Sequence, residues 1–366
     1  VTSIVFALGI YQAYPYYKKN SCTDVLPIFM KIGLLMFLIF LAIATGIVLV
    51  FDLSLKYIAV IMLTPVLVYD GIVSYITLVE EPIKRNITDV LVMLEELALV
   101  IVLWLTAKPT LFLGVIVITI KDITKSIIFT YWWRKRIFVK SEPIKDWIPK
   151  LVKFGFFPMM SLLMSTLNYR VDVIMLDGQV ADAAIGIYSV GSLIAERVWM
   201  IPDAMKGVMV SKIAKGKDAQ ETAYVIRLCN TACLFVVAGI IALGKPFIDL
   251  VFGPAYAGSY EITLILLIGV FPMIYYRAVA SYNIVMGKQL ASFIMLAIGV
   301  VANVIGNLLL IPKYGIYGAG IASVVSYLLS SILFAGYFCK NTKIPFKQML
   351  LINKKDFVQL KSMLKK

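Results

Sequence analysis

The chain has 366 residues, of which 61% are hydrophobic and 15% charged, with a formal net charge of +14 and a mean hydropathy of +0.91. A soluble protein of this length needs a more charged surface. The apolar residues also run the whole length, so a soluble domain on one anchor is excluded and lipid is the expected solvent. The sequence has no His, which removes the commonest metal ligand and general base. Cys22, Cys229, Cys233 and Cys339 lack CxxC spacing and read as reduced core residues.

At about 20 apolar residues per crossing, eleven helical runs emerge in chain order: 1–17, 28–50, 57–79, 88–106, 110–132, 149–170, 183–205, 222–243, 261–286, 289–311 and 316–338. Turn chemistry separates them, at Lys18-Lys19-Asn20, Glu81-Pro82, Lys108-Pro109, Gly244-Lys245-Pro246, Gly253-Pro254, Gly287-Lys288 and Pro312-Lys313. The runs are too long and too uniformly apolar for barrel strands. Gly315, Gly318 and Gly320 fit a tight helix–helix contact better than a phosphate loop. The chain opens on Val1 inside an apolar run, so one helix is expected to precede it.

Lys and Arg divide unevenly between alternate loops. The segments 18–27, 80–87, 133–153, 206–221, 287–288 and 339–366 hold 24, whereas the intervening loops hold four, Lys56, Lys108, Lys245 and Lys313. The first set, with the C-terminus, is expected to be cytoplasmic. The basic charge is thus a topology signal, with no clustered footprint for nucleic acid. The basic tail beyond Lys340 reads as an amphipathic helix on the inner leaflet or as a disordered end.

The third and ninth runs align without gaps at an offset of 207: Pro65, Tyr69, Ser74 and Tyr75 stand over Pro272, Tyr276, Ser281 and Tyr282. Six spans separate them, so both cross in one direction, as in a parallel repeat of two six-helix lobes. The expected division is an N-lobe over 1–132, a linker over 133–148, a C-lobe over 149–338 and a tail over 339–366.

Charged residues inside spans are costly and mark cavities or partners. Lys121, Lys125, Arg170 and Arg277 are the candidates for binding an anionic substrate. Asp70, Glu95, Glu96, Asp172, Glu196 and Arg197 are the candidates for ion coupling or gating, with H+ or Na+ as the coupling ion and no other cofactor. Asp70 occupies the repeat position of Arg277, which suggests a bridge between lobes. Arg170 is expected to neighbour Asp172. Pro65, Pro158, Pro202 and Pro272 inside spans predict kinks around a cavity.

The stretches Phe154-Gly-Phe-Phe-Pro158, Asn168-Tyr-Arg-Val-Asp172 with Met175-Leu176, and Gly186-Ile-Tyr188-Ser189 resemble the start of the second lobe in polysaccharide-biosynthesis flippases. These are the Wzx-type O-antigen translocases of the MOP superfamily. Leu250-Val-Phe-Gly253-Pro254-Ala-Tyr256 and Pro312-Lys313-Tyr314-Gly315-Ile-Tyr-Gly318-Ala319 are similar to two further motifs of that family. The resemblance implies an all-α integral membrane protein, a MATE-like two-lobe bundle of 12 transmembrane helices with 11 present here. It implies a bacterial cytoplasmic membrane and a lipid-linked oligosaccharide substrate on undecaprenyl pyrophosphate, flipped by alternating access. Membrane lipids, a polysaccharide polymerase and a chain-length regulator would be its partners. A multidrug exporter of the same superfamily, a lipid-II flippase and a membrane glycosyltransferase are the competing readings. No Walker motif is present, so ATP hydrolysis by this chain is not expected, nor is any other enzymatic step.

Overall fold

The computed structural model describes residues 9–51, 54–106, 110–215, 219–353 and 356. Among them the regular elements are all helical. A 3-10 turn (Ile10–Ala13) leads into α1 (Tyr14–Asn20), followed by α2 (Leu26–Val50), α3 (Leu55–Glu80), α4 (Pro82–Thr106), α5 (Leu111–Ile137) and α6 (Ile144–Leu176). After these come α7 (Asp182–Ala195), a 3-10 turn (Glu196–Trp199), α8 (Met200–Ala214), α9 (Ala219–Val251), α10 (Ser259–Val270), α11 (Met273–Val285) and α12 (Gln289–Thr342). Each of the eleven expected runs falls on one of these helices or on a broken pair. The first eight residues of run 1–17, and Lys56 and Lys108 as charges, lie outside the described residues or side chains.

The chain divides into two compact units, Val1–Met159 and Met160–Lys366. The division falls inside α6. Six helices among the described residues are long and apolar enough to span a bilayer, or seven if α10 and α11, bent by 43° at their junction, count as one. α4 and α5 have the length but carry mid-helix charges. Those charges answer each other: Lys121 of α5 lies 3.2 Å from Glu96 of α4, and Thr124 donates to Glu95 at 3.0 Å. An ion pair and a hydrogen bond of this kind lower the cost of the mid-helix charges in lipid.

The breaks follow backbone chemistry. α12 bends at Gly315, whose φ of 55° and ψ of −131° lie outside the helical region, so the two expected runs 289–311 and 316–338 are two helices. Its halves fold back on each other: a side chain at Gly299 would meet Ser330, and one at Gly306 would meet Ala322. A Cβ at Gly318 would lie 2.3 Å from the Leu310 carbonyl oxygen. Gly315 therefore makes the bend, and only Gly318 of that trio makes a contact closer than ordinary van der Waals distance. Two other expected breaks shift. α9 runs through Gly244-Lys245-Pro246 to Val251, and the chain turns at the next expected break, Gly253, φ 85°. A proline removes one helical hydrogen bond without ending the helix when packing holds the flanks, and Gly244 packs here on the Tyr260 ring. α12 likewise runs through Pro312.

The described part of the tail is neither an isolated amphipathic helix nor loose. A 3-10 turn (Phe346–Met349) lies against α9 and α11. Phe346 stacks 5.3 Å from Tyr275, and Met349 is fully buried.

Candidate substrate and ion site

In the first unit, α3, α4 and α5 bring Asp70, Glu95, Glu96, Lys121 and Lys125 into one polar layer. The spacing of Lys121 and Lys125, one turn apart on α5, places both on one face. Each has its own acid. Lys125 Nζ lies 2.8 Å from Asp70 Oδ2 and 3.9 Å from Asp122 Oδ1, while Lys121 takes Glu96. Ser126 donates a long hydrogen bond of 3.4 Å to Asp70. Asp70 and Asp122 are buried. Beside the Asp70–Lys125 pair opens a cavity of about 240 Å³, lined among others by Tyr11, Ser74, Tyr75 and Arg85. Arg85 is held by Asp89 at 3.1 Å. Lys125, Arg85 and the tyrosine hydroxyls are donors suited to phosphate or sugar oxygens.

In the second unit Arg277 pairs with Asp203 of α8 and lies 4.3 Å over the Trp199 ring and 5.7 Å from that of Tyr169. Asp70 and Arg277, the two ends of the suggested bridge, thus each have an ion-pair partner within their own unit. A strong charge in lipid takes the nearest opposite charge, and Lys125 and Asp203 supply it. The expected neighbourhood of Arg170 and Asp172 is also corrected. Arg170 reaches Glu196 at 3.6 Å and is 57% exposed, whereas Asp172 is buried and accepts from Tyr188 and from Ser323 at 3.0 Å. Residues two apart on a helix point nearly opposite ways. Arg197 faces away from Glu196, into an apolar groove with Leu193, Ile240 and Phe247.

Around Asp172 the second unit holds a buried amide and hydroxyl layer that charge-based reasoning does not find. Asn303 donates to the Asn168 carbonyl at 3.0 Å, Ser326 donates to Asn168 Oδ1 at 2.6 Å, and Asn307 donates to Asn303 at 2.6 Å. The signal was present: Asn303 and Asn307 stand one turn apart inside an apolar run, where unpaired amides are costly. Asp203 was missed because it lies near the end of its run, close to a loop.

No family model matches the chain. It is 29% identical over 154 residues to an uncharacterized membrane protein of Methanocaldococcus jannaschii, an alignment covering 42% of this chain and 36% of that protein's length. Among solved structures it is similar to a multidrug resistance MATE family transporter of the MOP superfamily in its outward-facing conformation, with a TM-score of 0.71, 13% identity, and 93% and 83% of the two chains covered. The eukaryotic MATE transporter AtDTX14 gives a TM-score of 0.71 at 12% identity, with 95% and 86% covered. The Vibrio cholerae MATE transporter VcmN, in its bent form, gives 0.65 at 14%, with 93% and 84% covered. With its apolar helices and this likeness, the chain is a multi-pass membrane protein with the fold of the MATE transporters.

Proposed function

We propose that the chain is a secondary transporter that carries an oligosaccharide linked to a polyprenyl pyrophosphate from one leaflet to the other. The observation that carries this reading is the Asp70–Lys125 pair beside a cavity lined by tyrosine hydroxyls, a serine and Arg85, inside an otherwise apolar helical unit. A sugar chain brings hydroxyls that lipid cannot satisfy, and such a cavity replaces the lost water. Lys125 exchanges partners in this scheme. When the pyrophosphate takes Lys125, Asp70 loses its counter-charge and takes up H+ or Na+. When the substrate leaves, the pair re-forms and the ion departs. Arg277, boxed by Trp199 and Asp203, is the corresponding group of the second unit.

Export of a cationic drug is the second reading, favoured by the likeness to a multidrug resistance transporter. One reconstitution separates the two. Liposomes containing the protein are loaded with a fluorescent polyprenyl-pyrophosphate oligosaccharide, and an impermeant quencher reports its leaflet. Expected is leaflet exchange that responds to an imposed pH or Na+ gradient and is lost in Lys125→Ala. Gradient-driven efflux of a cationic dye with no lipid exchange would replace the proposal by the drug reading.

A further inference from the structure

On the side of α5 opposite Lys121 and Lys125 lies a second feature of the first unit, a groove of about 580 Å³ between α2, α3 and α5. Ile123, Ile127, Tyr131 and Arg134 line it from α5, Phe37 from α2 and Val66 from α3. The α5 residues recur every three or four positions, so they form one stripe. Eleven residues separate Ile123 from Arg134, about 16 Å along a helix, or roughly half a hydrocarbon core of about 30 Å. The groove is therefore about one leaflet deep.

The hydroxyls of Tyr69, Thr130 and Ser126 in its wall are already engaged. Tyr69 and Thr130 hydrogen-bond each other at 2.8 Å, and Ser126 turns to Asp70. Arg134 stands at one end. Its guanidinium stacks 3.6 Å over the Tyr131 ring, and among the described residues no carboxylate lies within ion-pair distance of it. Arg136, two residues on, is by contrast paired with Asp24. Stacking fixes the guanidinium plane while leaving its N–H fork free for a planar or tetrahedral oxyanion.

We propose that this groove is a binding site for a resident anionic phospholipid, with an acyl chain between α2, α3 and α5 and its phosphate on Arg134. Charge complementarity sets the head and the apolar walls set the tail. The groove shares no lining residue with the Asp70–Lys125 cavity, so the bound lipid is distinct from any carried substrate, and the site stands whether or not the transport reading does.

The test is native mass spectrometry of the purified full chain titrated with phosphatidylglycerol, phosphatidylcholine or a polyprenyl phosphate. Expected is preferential binding of phosphatidylglycerol, weakened about fivefold in Arg134→Ala, since one basic residue near a membrane surface contributes about 1 kcal/mol. Arg134→Lys keeps part of that preference. Ile127→Trp, at a position 63% exposed, fills the groove and lowers both phospholipids without disturbing the fold, checked by an unchanged elution profile. Lys288→Ala, a half-buried cation of the second unit, leaves binding as it was. Equal binding of the two phospholipids, binding indifferent to Arg134→Ala or to Ile127→Trp, or stoichiometric displacement by polyprenyl phosphate would each overturn the proposal.

Discussion

Lys125 and Arg170 show how differently two intramembrane cations weigh. Lys125 sits 2.8 Å from Asp70, and both side chains are more than four-fifths buried. Removing one member leaves the other as an uncompensated charge in a poorly solvated place, a cost of about 3 kcal/mol or more, whereas removing both gives back most of it. Lys125→Ala is therefore expected to lower the apparent melting temperature of the purified protein sharply, and Lys125→Ala with Asp70→Ala to restore most of the loss. Arg170→Ala, at 3.6 Å from its acid and 57% exposed, is expected to cost well under about 1 kcal/mol because solvent and entropy discount such a pair. If the double variant melts as low as Lys125→Ala alone, the pair is not the unit of stability described here. The same contrast ranks the candidates for function. A group whose partner exchange carries a large energy can drive a conformational change, and a weakly held one cannot.

At the scale of elements, the strap formed by the described part of the tail is tied to α9 by several hydrogen bonds. Arg227 of α9 gives two hydrogen bonds to Asp356, at 2.7 and 2.6 Å, and a third to the Gln348 carbonyl. Asn230 donates to the carbonyls of Met349 and Leu350. Asn353 and Asp356 close the strap by reciprocal backbone–side-chain bonds at 3.0 and 3.1 Å. Burial alone would raise the Asp356 carboxyl, but the Arg227 hydrogen bonds and the Asn353 N–H outweigh it and hold the group below its ordinary value. The sign follows from that depression. The clamp's contribution is complete above the ordinary carboxylate value of about 3.9 and is lost as pH falls through the lower folded value. A spin label at Gln348→Cys is expected to stay immobile from neutral pH down to about pH 4 and to loosen below it. In Asp356→Asn the label is mobile at neutral pH. A label equally immobile in both proteins would mean that the apolar contacts of Phe346 and Met349 hold the strap without the ion pair.

Across the molecule, the charge count of alternate loops and the contacts within each unit agree on which loops share an end. In the first unit Lys18 pairs with Glu80, Arg136 with Asp24, and Lys31 donates to Val139 and Ser141. These contacts join segments 18–27, 80–87 and 133–153, all from the Lys- and Arg-rich set. In the second unit Lys288 meets Asn341 and Arg227 meets Asp356, whereas Ser259 meets Ile187 and Tyr317 meets Glu261 at helix ends bordering the charge-poor loops. So much was legible because one sequence property, lipid-phase apolarity, sets both the helices and the sides of their loops. The partners of buried charges were not legible, because Asp203 and Lys125 are chosen by three-dimensional proximity and not by the repeat that aligns Asp70 with Arg277. The break between 311 and 316 was legible, but its exact residue was not: Pro312 looked like the turn, whereas the helix runs through it and bends at Gly315. Orientation is an expectation from the cation bias, under which the rich set would be cytoplasmic. A fluorescent protein fused after Lys366 is accordingly expected to be bright and an alkaline phosphatase at the same point inactive. A cysteine introduced at Lys313, bordering the charge-poor end, should react with an impermeant maleimide added to intact cells. An active phosphatase with an unreactive Lys313→Cys would invert the expected orientation, and the proposed loading leaflet of the Asp70–Lys125 cavity would invert with it.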